Sequence, residues 1–222
     1  MRAAAPAAPA APPRMAQRFA IHRTTPQQRL LRQAAALIRG GGLVVLPTDA
    51  CYALACRLDD KAAVERLRAL RQIDERHLLT LMCRDLAEIA TYASVDNRQY
   101  RFLKALTPGA YTFVLPATRE VPRRLAHPSR KTVGMRVPDS PIVSGVLAEL
   151  GEPVLASTLT MPGEPEPLAD PDEIESRIGK RIDLLVDAGM IGTTPTSIID
   201  LTGDEPVVLR VGCGPVDRLV TI

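Results

Sequence analysis

From residue 26 onward the chain alternates between short apolar runs and stretches whose apolar residues recur every three or four positions. The clearest run, Leu43–Leu46, follows Gly40, Gly41 and Gly42 and is stopped by Pro47. That is the pattern of a buried strand with abrupt ends. Similar runs predict strands at Ala53–Leu58, Leu79–Cys83, Tyr111–Leu115, Val133–Val137, Val154–Ser157, Leu184–Val186, Ser197–Leu201 and Val207–Val211. Between them the period becomes helical. Pro26–Arg39 places Leu30, Leu31, Ala34, Ala35 and Ile38 on one face, with Thr25 as its cap, Pro26 in the first turn and the glycine triplet as its stop. Asp60 caps a helix to about Arg71 whose apolar face is Ala63, Val64, Leu67 and Leu70. Asp85 starts a helix to about Thr91, and Asp96 one to about Leu106. A helix over Pro141–Leu150 ends at Gly151, and another lies near Asp172–Ile178. Pro162–Pro171 reads as an exposed loop. Strands and helices interspersed throughout predict a single α/β domain with a mixed sheet.

Composition narrows the class. The 222 residues are 46% hydrophobic and 24% charged, enough apolar mass for a full core. Aromatics are 3% and Trp is absent, so the core must be built from Leu, Val, Ile and Ala. Residues 1–15 form an Ala/Pro-rich extension that is expected to be disordered, leaving 16–222 as the domain. The prolines interrupt any signal-peptide core, and Met15 is expected to be the functional start. No apolar run reaches membrane-spanning length. Cys51, Cys56, Cys83 and Cys213 show no metal spacing, and a chain this long does not need disulfide staples. Reduced thiols and a cytoplasmic location are expected, with no metal site in the protein. A net charge of +3 permits an anionic partner without requiring one.

The candidate chemistry lies at strand ends. Thr48, Asp49 and Tyr52 follow the Leu43–Leu46 strand, where open α/β sheets bind ligands. Thr48 and Asp49 are equally suited to satisfying the backbone of a turn. Walker, GxGxxG and GxSxG sequences are absent. Instead, arginines and hydroxyls recur: Arg71 after a helix, Arg136 in GMRVP, Arg210 in VLRVG, Thr158 and Thr160 after VLAS, and Thr196 and Ser197 before IIDL. An arginine in an apolar strand either pairs with a carboxylate or faces an anionic ligand. Three of them beside hydroxyls favour a phosphate or carboxylate site. A separate basic loop, with Arg123, Arg124, His127, Arg130 and Lys131 around Pro122 and Pro128, is either a solvated loop or a contact to nucleic-acid phosphates or to a polyphosphate.

These segments resemble a known family. PTDACYAL is similar to the PT(D/E)TxYGL motif of the YrdC-like family, the threonylcarbamoyl-AMP synthase family. TPGAYTFVL, GMRVP, PTSIIDL and VVLRVG resemble its later motifs, in family order, from about Pro26 to Gly214. RQxxxxHxxTLMCRDL, VPRRL and KTxGMRVP resemble the YciO-like branch. The resemblance implies a YrdC-like fold, a twisted mixed parallel and antiparallel sheet flanked by helices and enclosing a large basic cavity. It implies a nucleotidyltransferase that joins L-threonine, bicarbonate and ATP, the last entering with Mg2+, into L-threonylcarbamoyladenylate for tRNA N6-threonylcarbamoyladenosine modification. No tightly bound cofactor, acid/base residue or nucleophile is implied. Thr48, Asp49, Tyr52 and Ser197 would serve the threonine side. Arg71, Arg136, Thr158, Thr160, Thr196 and Arg210 would serve the nucleotide. Arg123, Arg124, Arg130 and Lys131 are the candidates for contact with tRNA or double-stranded RNA.

The chain departs from the synthase pattern mildly where the Ser-Thr pair before the late strand is reversed as Thr196 and Ser197, and more strongly at two points. Lys-x-Arg becomes Arg71, Gln72, Ile73, and Ser-x-Asn becomes Thr158, Leu159, Thr160. Loss of a buried charge-assisted phosphate interaction costs about 2–4 kcal/mol. The alternative to a working synthase is therefore a catalytically weak paralogue that binds nucleotide and RNA.

Overall fold

In the computed structural model the described residues are 15–74 and 77–217. The extension up to Arg14, expected to be disordered, lies outside them. Strands β1 (Gln17–Ala20), β2 (Val44–Pro47), β3 (Tyr52–Arg57), β4 (Thr80–Met82), β5 (Tyr111–Pro116), β6 (Thr132–Arg136), β7 (Val154–Thr158), β8 (Leu184–Asp187), β9 (Ser197–Asp200) and β10 (Val207–Arg210) form one sheet in the order β1-β8-β2-β3-β7-β4-β6-β5-β9-β10. Pairings β1–β8, β2–β8, β4–β6 and β5–β9 are parallel. Those of β2–β3, β3–β7, β4–β7, β5–β6 and β9–β10 are antiparallel. The mixed sheet expected from the sequence is present.

Side-chain alternation sorts the core into two layers. Leu43 and Val45 join one cluster with Leu54, Leu155 and Leu185. Val44 and Leu46 join the other with Ala55, Val154, Leu184 and Val186. Helices α2 (Lys61–Arg71), α3 (Leu86–Tyr92), α4 (Asn97–Leu106) and α6 (Pro171–Ile178) contribute to the first cluster. Helices α1 (Gln28–Arg39) and α5 (Pro141–Leu150) contribute to the second. The second cluster holds nothing from β5, β6, β9 or β10. That half of the sheet face carries Thr112, Gly134, Arg136 and Ile198 in place of a helix-packed apolar surface, and this difference positions the site.

Most helix ends follow the sequence signals. Asp60, Asp85 and Asp96 accept backbone N–H bonds from Ala63, Glu88 and Gln99, and Asp96 with Gln99 completes a capping box. Ser140 caps α5 and Gly151 ends it in the left-handed region (φ 78°). Thr25 does not cap α1. That helix starts two residues later, with Gln27 at the cap position and no side-chain cap bond, while the Thr25 hydroxyl pairs with His22 Nδ1. Strand β1 carried no sequence signal, because three of its four residues are exposed. It forms through parallel pairing with β8. The loop read at Pro162–Pro171 is exposed only in part. Leu168 is buried, its N–H donates to the Leu159 carbonyl, and Pro171 opens α6.

Candidate functional site

Over the uncovered half of the sheet lies a cavity of about 330 Å3. Its floor is a band of small side chains from adjacent strands. Thr80 pairs with Ala156 and with Gly134, Ala53 with Thr158, and Thr112 with Ile198. A Cβ at Gly134 would stand 3.3 Å from Thr80 Oγ1 and 3.4 Å from Thr112 Cγ2, so glycine keeps this floor open. The walls bring together Arg71, Arg136, Thr158, Thr160, Thr196 and Arg210. These are all six residues assigned above to the nucleotide. They come from the end of α2, β6, β7 and its following loop, the start of β9, and β10.

Each guanidinium is held from one side. Arg71 Nε donates to Ser157 Oγ at 3.3 Å. Arg210 Nε and Nη2 donate to the Thr196 carbonyl at 3.0 and 2.9 Å. The Thr196 hydroxyl is fixed by Thr112 Oγ1 at 2.9 Å. Arg136, 7% exposed, is ion-paired with Asp49, while its Nε and the second Asp49 oxygen have no hydrogen-bond partner. Burial lowers the pKa of all three arginines, an effect that the neighbouring Asp49 opposes at Arg136. They stay charged at any ordinary pH. None of the described cavity walls carries a carboxylate. Arg136 shares its charge with Asp49, whereas the half-desolvated Arg71 and Arg210 have no carboxylate partner among the described residues, which favours an anionic ligand.

The residues assigned to threonine are placed differently. The Thr48 hydroxyl donates to the Cys51 carbonyl and accepts from the N–H groups of Ala50 and Cys51, so it closes the β2–β3 turn. The Tyr52 hydroxyl donates to the Gly189 carbonyl at 2.8 Å and accepts from Ala188 N–H. Burial raises the Tyr52 pKa to about 12. Ser197, fully buried, donates to the Gly214 carbonyl and accepts from Gly212 N–H. All three hydroxyls are occupied by backbone. Asp49 alone keeps a free oxygen, and with Thr48 it lines a second cavity of about 310 Å3. Asp49 therefore stands between the two cavities, reaching Arg136 in the wall of the first.

The sequence reading missed further cavity residues: Thr80, Thr112, Ser157, His77 and Pro195. Thr80, Thr112 and Ser157 each sit in a β-run whose apolar neighbours masked them. His77, at the rim, follows α2. Its N–H is held by Asp74 Oδ1 at 3.1 Å. Burial, then the charges of Arg71 and Arg68, lower its pKa against the opposing pull of Asp74. Ile73 packs against the core and takes no part in the cavity.

Arg123, Arg124, Arg130 and Lys131 are exposed and lie in the β5–β6 loop. Thr112 and Arg136 are at the opposite end of that hairpin, so the loop does not line the cavity. Arg124 Nη2 donates to the Leu58 and Asp59 carbonyls, both at 3.2 Å, which commits part of its donor set. Arg119, Arg123 and Lys131 border a separate hollow of about 730 Å3. Among the described residues there is no cluster of three or more His, Cys, Asp or Glu able to hold a metal, and no helix long and apolar enough to cross a membrane.

The family model of the Sua5, YciO and YrdC proteins, described as telomere recombination, matches residues 36–212. The uncharacterised protein YciO of Escherichia coli K12 is 51% identical over 202 residues, 91% of this chain and 98% of its own. The E. coli YciO crystal structure superimposes with a TM-score of 0.89 over 92% of this chain and all of that one. The threonylcarbamoyl-AMP synthase of Halorhodospira halophila is 34% identical over 172 residues, 77% of this chain and 89% of its own. Sua5 of P. abyssi, crystallised with L-threonine, is 25% identical with a TM-score of 0.84, covering 92% of this chain and 60% of that one. Five motifs in order, the arginine-lined cavity they build and these matches have one reading: the chain is a member of the Sua5/YciO/YrdC family, homologous to the threonylcarbamoyl-AMP synthases.

Proposed function

We propose that the chain is a threonylcarbamoyl-AMP synthase-type transferase that makes L-threonylcarbamoyladenylate from L-threonine, bicarbonate and ATP, for tRNA N6-threonylcarbamoyladenosine modification. The observation that carries this is the convergence of Arg71, Arg136 and Arg210 with Thr158, Thr160 and Thr196 on one cavity whose described walls hold no carboxylate. The threonine nitrogen, once deprotonated, takes the carbon of bicarbonate as a carbamate, and the bicarbonate hydroxyl leaves as water. A carbamate oxygen then attacks the α-phosphorus in line, and the bond to the departing pyrophosphate breaks. Such a reaction needs no covalent enzyme intermediate; it needs alignment and cations around the developing charge. Mg2+ enters as part of the triphosphate substrate and takes its ligands chiefly from the phosphates and water. With Thr48, Tyr52 and Ser197 bonded to backbone, the amino acid is left with Asp49 and the hydroxyl-rich end formed by Thr80, Ser157, Thr158 and Thr160.

One observation favours a second reading. Ile73 packs on the core where the synthase pattern has an arginine, so one cation of the pattern is missing. A protein that binds nucleotide, and duplex RNA or tRNA through its basic loop, without efficient transfer fits that loss. Calorimetry with Mg-ATP, followed by pyrophosphate release with threonine and bicarbonate, separates the two. Threonine-dependent release supports the synthase. ATP binding without release supports the binding protein, and absence of ATP binding overturns both.

A further inference from the structure

Carbamate formation has to move a proton, and the described walls of the cavity contain few groups able to take one. Arg71, Arg136 and Arg210 cannot be deprotonated in this range, and the hydroxyls of Thr80, Thr112, Ser157, Thr158, Thr160 and Thr196 ionise far too high. His77 is the remaining titratable side chain among the described lining residues. Its backbone is fixed by Asp74, whose Oδ1 and carbonyl both accept the His77 N–H. The ring shares the cavity with Arg71 from the last turn of α2, six residues earlier. Building on the transferase reading, we propose that His77 is the proton acceptor of the cavity, taking the proton that the amino acid's ammonium must lose before its nitrogen becomes a nucleophile.

The step balances. The ammonium, neutral imidazole and bicarbonate give the carbamate, imidazolium and water. One N–H proton goes to His77, another leaves with the bicarbonate hydroxyl as water, the C–OH bond breaks and the C–N bond forms. The groups facing the ring suit this role. Burial first, then the charges of Arg71 and Arg68 on α2, disfavour a proton on the ring, and Asp74 in the following turn opposes them only in part. The imidazole is thus neutral and able to accept at neutral pH. The phosphate chain of bound ATP then offsets the arginine field and steadies the imidazolium once it forms. This assignment also gives the segment after Arg71 a chemical role even though Ile73 has none in the cavity.

The test is His77→Gln, which keeps a polar side chain but cannot take a proton. Threonine-dependent pyrophosphate release is measured from pH 5 to 8, with ATP affinity measured alongside by calorimetry. The wild type is expected to lose activity as pH falls through the pKa of His77, below the ordinary histidine value. The variant is expected to lose that acidic limb and to turn over about 10²-fold more slowly, the scale of a general base, with ATP affinity kept. Added imidazole is expected to restore rate in His77→Gly. A variant with unchanged rate and pH profile in an active protein overturns this inference and leaves the transferase reading standing. A wild type that binds ATP but releases no pyrophosphate overturns the transferase reading and this inference with it.

Discussion

Arg136 and Asp49 show how one buried pair can serve both fold and site. Their side chains are 8% and 11% exposed, so neither charge tolerates the loss of the other. Arg136→Ala is expected to abolish ATP binding and also to destabilise the protein by about 3–5 kcal/mol, because Asp49 is left buried and uncompensated. Asp49→Ala combined with Arg136→Ala is expected to recover much of that stability and none of the ATP binding. Denaturant titration and calorimetry on the two variants check this, and the single variant matching wild-type stability would sink it. Ser197 is a contrasting case. Its hydroxyl bridges Gly212 and Gly214, so Ser197→Ala leaves buried backbone groups unpaired and is expected to cost about 1–3 kcal/mol. The KM for threonine is expected to stay within error of wild type, and a selective rise in KM would return Ser197 to the threonine side.

At the scale of elements, the two helices on the second face are packed closely enough to be read from one glycine. A Cβ at Gly145 in α5 would stand 2.5 Å from Leu31 Cδ1 in α1, well inside contact distance. Gly145→Val is expected to drive the helices apart and cost about 1–3 kcal/mol by overpacking. For a chain of this length each kcal/mol corresponds to about 2–4 °C of Tm. Because the cavity is on the half of that face beyond α1 and α5, ATP affinity measured well below Tm is expected to hold. Loss of ATP binding in the folded variant would mean that the packing of the helix pair shapes the cavity. The helix caps required no tertiary information: Asp60, Asp85 and Asp96 act within their own first turns.

Across the whole molecule, the β5–β6 hairpin keeps two basic regions apart, with the arginine cavity at one end and the Arg123–Lys131 loop at the other. We expect the loop to bind duplex RNA or tRNA through phosphates alone, weakly and with steep salt dependence. Arg123→Glu with Lys131→Glu avoids Arg124, which bonds the Leu58 and Asp59 carbonyls. The double variant is expected to weaken tRNA binding for all sequences alike, to flatten the salt slope by roughly one unit for each phosphate no longer neutralised, and to leave ATP affinity unchanged. Unchanged tRNA affinity at two salt concentrations would remove the loop from any RNA interface.

Local rules suffice for much of this protein. Apolar runs flanked by Gly and Pro, helical stripes and Asp caps mark nearly every element, because burial and capping act over neighbouring residues. The motif order also picked out Arg71, Arg136, Thr158, Thr160, Thr196 and Arg210, which the fold gathers on one cavity. What the chain could not disclose by itself depends on partners far away in sequence. β1 exists because β8 offers it an edge. Whether a strand-end hydroxyl faces a ligand or a carbonyl depends on which backbone the fold brings to it. Tyr52 meets Gly189 and Ser197 meets Gly214, while Thr158, Thr160 and Thr196 line a cavity beside three arginines. In the sequence those hydroxyls are equivalent. They differ once the sheet leaves one half of its face without a helix, because a polar group there has a cavity to address while elsewhere it must be satisfied by the chain itself.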